Sequence, residues 1–329
     1  QGTCSEISQA ACVGAGGAYR GDGNSCAASY CPVILTKYVD PLPIPPVATP
    51  ASGTPGGAAT YNLTAKESQV SLHSELPPTT VWGLDDGTHG AGYLGPTIEA
   101  RSEVPVTVNW INDLRVFETG QLRTSHRLPV DICVPHAMDD ARTVFHLHGG
   151  HVPASVDGYP ESTFGPGDPP VSYVYPNHQQ AGYLWYHDHA LAVTRLNVHM
   201  GLAGLYFLRD DAEDALGLPA GEFELPLIVQ GRTFNPDGSF SYPATWEDHV
   251  TGDKILVNGK VWPYLDVKKG KYRFRIVNGS GSRTYTLSLS PPSGTLNFTV
   301  IGTELGLLEA PVNGVGELTL GPGERYDVV

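Results

Sequence analysis

The sequence predicts an all-β chain assembled from antiparallel β-sandwiches or barrels, and two observations carry that prediction. Short runs rich in Val, Ile, Thr and aromatic residues alternate with polar positions: VPVTVNWIN (104–112), TVFHLHG (143–149), GYLWYHDH (182–189) and GLYFL (204–208). A period of two marks strands with one buried face. Glycine (39) and proline (28) make up about a fifth of the 329 residues without the triplet period of collagen, the punctuation of a turn-rich β fold. With 40% hydrophobic and 16% charged residues the chain can bury sizeable cores, which excludes a disordered class. Helical spacing is confined to ALAVTRLNV (190–198) and DDAEDALGL (210–218).

Taken in order, the first 36 residues form a cysteine-rich N-terminal segment. Cys4, Cys12, Cys26 and Cys31 stand among Gly, Ala and Ser, too few apolar residues for a core, so two disulfides are expected to staple it. Their pairing has three connectivities. The competing reading, a four-cysteine zinc site, lacks paired knuckles. PLPIPPVATPASGTPGG (41–57) reads as a Pro/Gly-rich linker. A first sandwich is expected over 37–213 and a second over 214–329, from ELPLIVQ through GELTLGPGERYDVV. The chain stops in an alternating stretch, and a sandwich cut there would leave an unpaired edge, so the second domain is expected to be truncated and to belong to a longer unit. The alternative is that Val329 ends an edge strand of a complete domain.

Asp plus Glu (34) exceed Lys plus Arg (20) to give a net charge of -14, which disfavours nucleic acid and anionic lipid as partners. No run approaches the roughly 18 apolar residues of a membrane span. Gln1 is neither a Met start nor the head of a signal peptide, so the chain reads as mature and soluble. The cysteines and the sequons at Asn62, Asn278 and Asn297 point to a secreted, extracellular glycoprotein. Cys133 is left over, either a buried thiol or paired outside this chain.

The chemistry sits in two H-x-H motifs. His146 and His148 lie two apart in a strand pattern and therefore share a face; His187 and His189 repeat the arrangement, with Asp188 turned away. Gly149 and Gly150 leave room beside one pair, and Trp185 and Tyr186 precede the other. Imidazole-only ligation suits copper, zinc, iron or nickel and argues against calcium and magnesium. His73, His89, His126, His178 and His249 lie outside paired motifs and read as solvated, and His151 and His199 as ordinary loop residues.

HLHGGHVPASVDGYPES, YLWYHDHALAVTRLNVHMGLAGLYFL and KILVNGKVWPYLDVKKGKYRFRIVNGSGSRTYTLSL resemble the first two cupredoxin domains of a multicopper oxidase, nearest to the bacterial spore-coat laccase and bilirubin oxidase branch, from about Lys37 to Val329. The resemblance implies tandem cupredoxin-like Greek-key β-sandwiches. It implies copper as cofactor, with His146 on the type 2 ion and His148, His187 and His189 on the type 3 pair. It implies that Asp157, in the DGYP segment, assists proton delivery. The reaction implied is one-electron oxidation of phenolic, aromatic-amine or tetrapyrrole substrates coupled to reduction of dioxygen to water. The remaining ligands, in an H-x-x-H-x-H and an H-C-H motif with the type 1 copper, belong to a third domain absent here, so the isolated chain is expected to be inactive and its partners to include the rest of the enzyme. Cys133 and His136, a C-x-x-H in the insertion 117–142, have no flanking histidines and read as structural. The rival readings are a single-metal cupin-type dioxygenase and a non-enzymatic copper-binding cupredoxin protein.

Overall fold

Nine strands build the first half of the protein, whose computed structural model describes residues 33–329; Cys4, Cys12, Cys26 and Cys31, and with them the expected staple, lie outside the described residues. The strands are β1 (Ser52–Gly53), β2 (Ala59–Val70), β3 (Thr79–Asp85), β4 (Ile98–Arg101), β5 (Val106–Asn112), β6 (Phe145–His148), β7 (Val171–Tyr175), β8 (Gly182–Asp188) and β9 (Ala203–Arg209). One sheet runs β1-β2-β5-β7 with β3 also paired to β2, and the other runs β4-β9-β8-β6. In β5 the alternation is strict, with Val106, Val108, Trp110 and Asn112 all buried. Against them Phe145 and Leu147 of β6 and Leu184 and Tyr186 of β8 close a single core.

Strand β8 is buried along its whole length because both of its faces are covered. Leu184 and Tyr186 point into the first core, while Tyr183 and Trp185 join Leu205, Phe207, Ile228 and Val277 in a second cluster that reaches the other half of the chain. A strand with two buried faces reads as a continuous apolar run, as GYLWY does.

The second half contains β10 (Glu224–Arg232), β11 (Lys254–Val257), β12 (Lys260–Val261), β13 (Arg273–Asn278), β14 (Tyr285–Ser288), β15 (Phe298–Thr303), β16 (Gly306–Val315), β17 (Glu317–Leu320) and β18 (Arg325–Val328). Seven of them form the sheet β12-β11-β10-β13-β18-β15-β16, and β14 pairs with β17. Tyr285, Leu318 and Leu320 from the smaller sheet pack on Val229, Ile276, Val300 and Val328 from the larger. Strand β18 is internal, bonded to β13 and β15, and is not an edge.

Several expectations need correction. The ladders are not purely antiparallel: β2 with β5, β4 with β9 and β10 with β13 run parallel. The helices are α1 (Thr194–Met200), later than the expected 190–198, and α2 (Asp211–Ala215), whose N-cap Asp210 accepts from Glu213 N at 2.7 Å. Residues 41–57 are a bonded strap, with Leu42 N donating to Tyr264 O and Ala48 N to Thr97 O, each at 2.7 Å. Asn278 is 1% exposed and donates to Arg283 O and Leu320 O, so this sequon is closed to glycosylation, whereas Asn62 and Asn297 are exposed. His73 and His126 are buried, not solvated, each bonded through its ring nitrogens. His199 lies in α1, not in a loop, its buried ring edge-on to Phe240 and Tyr242. No helix among the described residues is long and apolar enough to cross a membrane.

Candidate metal centre

Strands β6 and β8 are antiparallel neighbours with His146 opposite His187 and His148 opposite Trp185. Strand parity sends Phe145, Leu147 and Asp188 to the core side and the histidines to the other, where Tyr183 and Trp185 also lie. One nitrogen each from His146, His148 and His187 falls within 4.8 Å of the others. His189 stands just past the end of β8, its N–H donating to Val144 O at 2.7 Å. Its ring centroid is 5.2 Å from that of His146 and 5.8 Å from that of His187, so it flanks the group without entering it.

Two of the rings are oriented from behind. His146 Nδ1 donates to Asp157 O at 2.6 Å and His187 Nδ1 to Asp188 O at 2.8 Å, which leaves both Nε2 atoms facing the centre. His148 Nδ1 and His187 Nε2 face each other at 3.2 Å. Trp185 lies against His187, ring centroids 4.3 Å apart, and shields one side from water. His189 Nδ1 is buried without a partner. Burial drives the His148 imidazole down to about 4 and holds those of His187 and His189 below the usual histidine range, with neighbouring positive groups adding to the effect. The rings are therefore neutral near pH 7, the form that binds metal.

Asp188 stays out of the cluster. Its Oδ1 accepts from Ala190 N and its Oδ2 from Val144 N, and burial raises its carboxyl to about 7. The side chain of Asp157 is half exposed. It sits behind His146, Oδ1 3.2 Å from Nδ1, because Gly158, with φ of 80°, turns the chain tightly against β6: a Cβ there would lie 2.1 Å from Phe145 O. Among the other sequence candidates, His151 is an exposed loop residue, Cys133 an exposed free thiol, and His89, His136, His178 and His249 are exposed. Two contributors had no local signal: Gly323 against the His148 ring and Arg325 behind Gly149, each about 175 residues further along the chain.

A set of imidazoles, two with Nδ1 tied to carbonyls and one with a buried orphan nitrogen, fits a borderline-soft transition ion such as copper and offers calcium or magnesium no oxygen shell.

Fold and site together define a β-sandwich protein with a cluster of imidazoles at the face of one sheet that could hold a metal ion. A protein-family model described as Multicopper oxidase matches residues 117–213. The chain is 43% identical to a laccase of Bacillus stratosphericus and 40% identical to a laccase of Bacillus subtilis, each over 90% of this chain and 59% of the relative. Among solved structures it is similar to the McoA multicopper oxidase of Aquifex aeolicus, with a TM-score of 0.70 and 28% identity over 89% of this chain and 57% of that one. A laccase from Pediococcus acidilactici gives 0.71 and 26%, over 91% and 57%. The chain belongs to the multicopper oxidase family, and it spans 59% of the length of these two curated relatives.

Proposed function

We propose that this chain supplies half of the histidine ligands of a type 2 and type 3 copper cluster in a laccase-type oxidase. The complete enzyme takes single electrons from small phenolic, aromatic-amine or tetrapyrrole substrates and reduces dioxygen to water. The observation that carries the proposal is the convergence of His146, His148 and His187 on one point. His146 and His187 would hold copper through Nε2 and His148 through Nδ1, with His189 completing the set from the flank. Copper, when bound, supplies the one-electron redox chemistry that imidazole and carboxylate side chains lack. Trp185 excludes water, and the carbonyls of Asp157 and Asp188 keep the rings aimed. Asp157, open to solvent and beside His146, would relay protons from water toward the dioxygen undergoing reduction.

The type 1 copper and the other ligands belong to polypeptide beyond the four histidines here, so residues 1–329 alone turn over no substrate. The cysteines of the first 36 residues and the exposed sequons at Asn62 and Asn297 support an oxidising, extracellular setting.

In the full-length, copper-loaded polypeptide, His148→Ala and His187→Ala are expected to lower copper content and abolish dioxygen consumption with a phenolic dye. Full copper content and turnover in both variants, or turnover by purified 1–329 with no other polypeptide present, would overturn the proposal.

A further inference from the structure

The second half of the chain gives no histidine to the centre, yet it reaches it. The turn between β17 and β18 lays Gly323, with φ of 84°, against the His148 ring, so that a Cβ there would lie 2.9 Å from His148 Cε1. That turn is held from several sides. Gly323 N donates to Asn278 O at 2.8 Å, Asn278 N donates to Glu324 O at 3.0 Å, and Arg325 Nη1 donates to Gly323 O at 3.1 Å. The guanidinium of Arg325 is buried, and its Nε donates to Tyr183 O of β8 at 3.1 Å. Its Nη2 donates to Glu304 O, and the Glu304 carboxylate pairs with Nη1. On the opposite side Gly149, just after the first H-x-H, comes so close that a Cβ would stand 2.5 Å from Nη2.

We propose that Arg325 is a positioning residue for the copper centre: bound to Glu304 and to the carbonyls of Tyr183 and Gly323, it fixes the Gly323 turn as a wall that sets the plane of the His148 imidazole. The inference rests on the copper reading of the preceding section. A rigid planar fork suits the task, because one group must reach three carbonyls and a carboxylate in fixed directions. Glu304 offsets the positive charge that Arg325 would otherwise bring beside a cationic cluster. Outer groups that orient a metal ligand are typically worth about 10–100-fold in affinity. The two glycines, 174 residues apart in the chain, are where the halves approach too closely for any side chain.

The test compares Arg325→Met, Arg325→Lys, Glu304→Gln and Gly323→Ala in the full-length protein, with copper(II) alone as the probe. Chelator competition is expected to show copper bound about 10–100-fold more weakly in each. The electron paramagnetic resonance spectrum of bound copper should change, and kcat should fall with KM for the reducing substrate unchanged. Lysine should not rescue, because it keeps the charge and loses the fork. Folded variants with wild-type affinity and spectrum would overturn the proposal; if Arg325→Met does not fold, Glu304→Gln and Gly323→Ala decide by the same criteria. His148→Ala separates the two readings. If it loses copper while the other variants retain wild-type binding, only the positioning role falls; if it too binds like wild type, both fall.

Discussion

His126 shows how much one buried ring can contribute at the scale of the residue. Leu128 N donates to its Nδ1 at 2.9 Å, so the proton rests on Nε2, which donates to Asn197 Oδ1 at 3.1 Å, and Trp82 meets the ring edge-on with centroids 4.4 Å apart. Burial brings its pKa down to about 4. The unfolded chain takes up that proton near 6.5 and the folded chain does not. This contribution is therefore complete above pH 6.5 and is lost as pH falls toward 4, to the extent of about 3 kcal/mol. Urea unfolding at pH 7, 5.5 and 4.5 should show His126→Gln with a shallower acid decline than wild type; superimposable declines would refute the assignment. Nothing in TSHRLP distinguishes this histidine from a solvated one, because its partners Trp82 and Asn197 lie tens of residues away.

At the scale of the element, the decisive strand is β6, only four residues long. Its core-side residues set the position of its metal-side residues: Trp110 stacks on Phe145 with centroids 4.2 Å apart, and Tyr186 closes the same cluster. Trp110→Ala is expected to cost about 3–5 kcal/mol. Since Phe145 is the neighbour of His146, the folded variant should also bind copper more weakly than wild type. Denaturant unfolding and chelator competition on one preparation check both, and a destabilised variant with unchanged copper affinity would break the link. Strand parity in TVFHLHG and LWYHDH was legible, since a period of two is local. The pairing of β6 with β8, which sets His146 opposite His187, was not, because register depends on which strands meet.

Across the whole molecule, a buried ionic network ties α2 and β9 to the seven-stranded sheet. Arg209 bonds Glu99 at 2.7 Å and Glu224 at 3.1 Å, Arg273 bonds Asp327 at 2.8 Å, and Arg275 bonds Glu224 at 2.6 Å and pairs with Glu213. Removing one partner strands charges that have already left water, which typically costs about 3–5 kcal/mol. Arg275→Met should lower stability by that amount in denaturant unfolding, with Arg275→Lys intermediate because an ammonium cannot reproduce the fork. A loss below about 1 kcal/mol, the range of an exposed pair, would show the network to be solvated.

Alternation, turn punctuation and the two H-x-H motifs settled in advance that the protein is a β-sandwich chain with four imidazoles offered in pairs, because period, turn chemistry and ligand type are properties of neighbouring residues. Folding alone decided that three of the four converge while the fourth flanks them, that Asp157 lies behind His146 half open to solvent, and that the 41–57 stretch is a bonded strap. It also decided that Gly323 and Arg325 stand against the first motif. Each of these depends on the register of strands and the packing of one sheet on another, distances that no local pattern in the chain encodes.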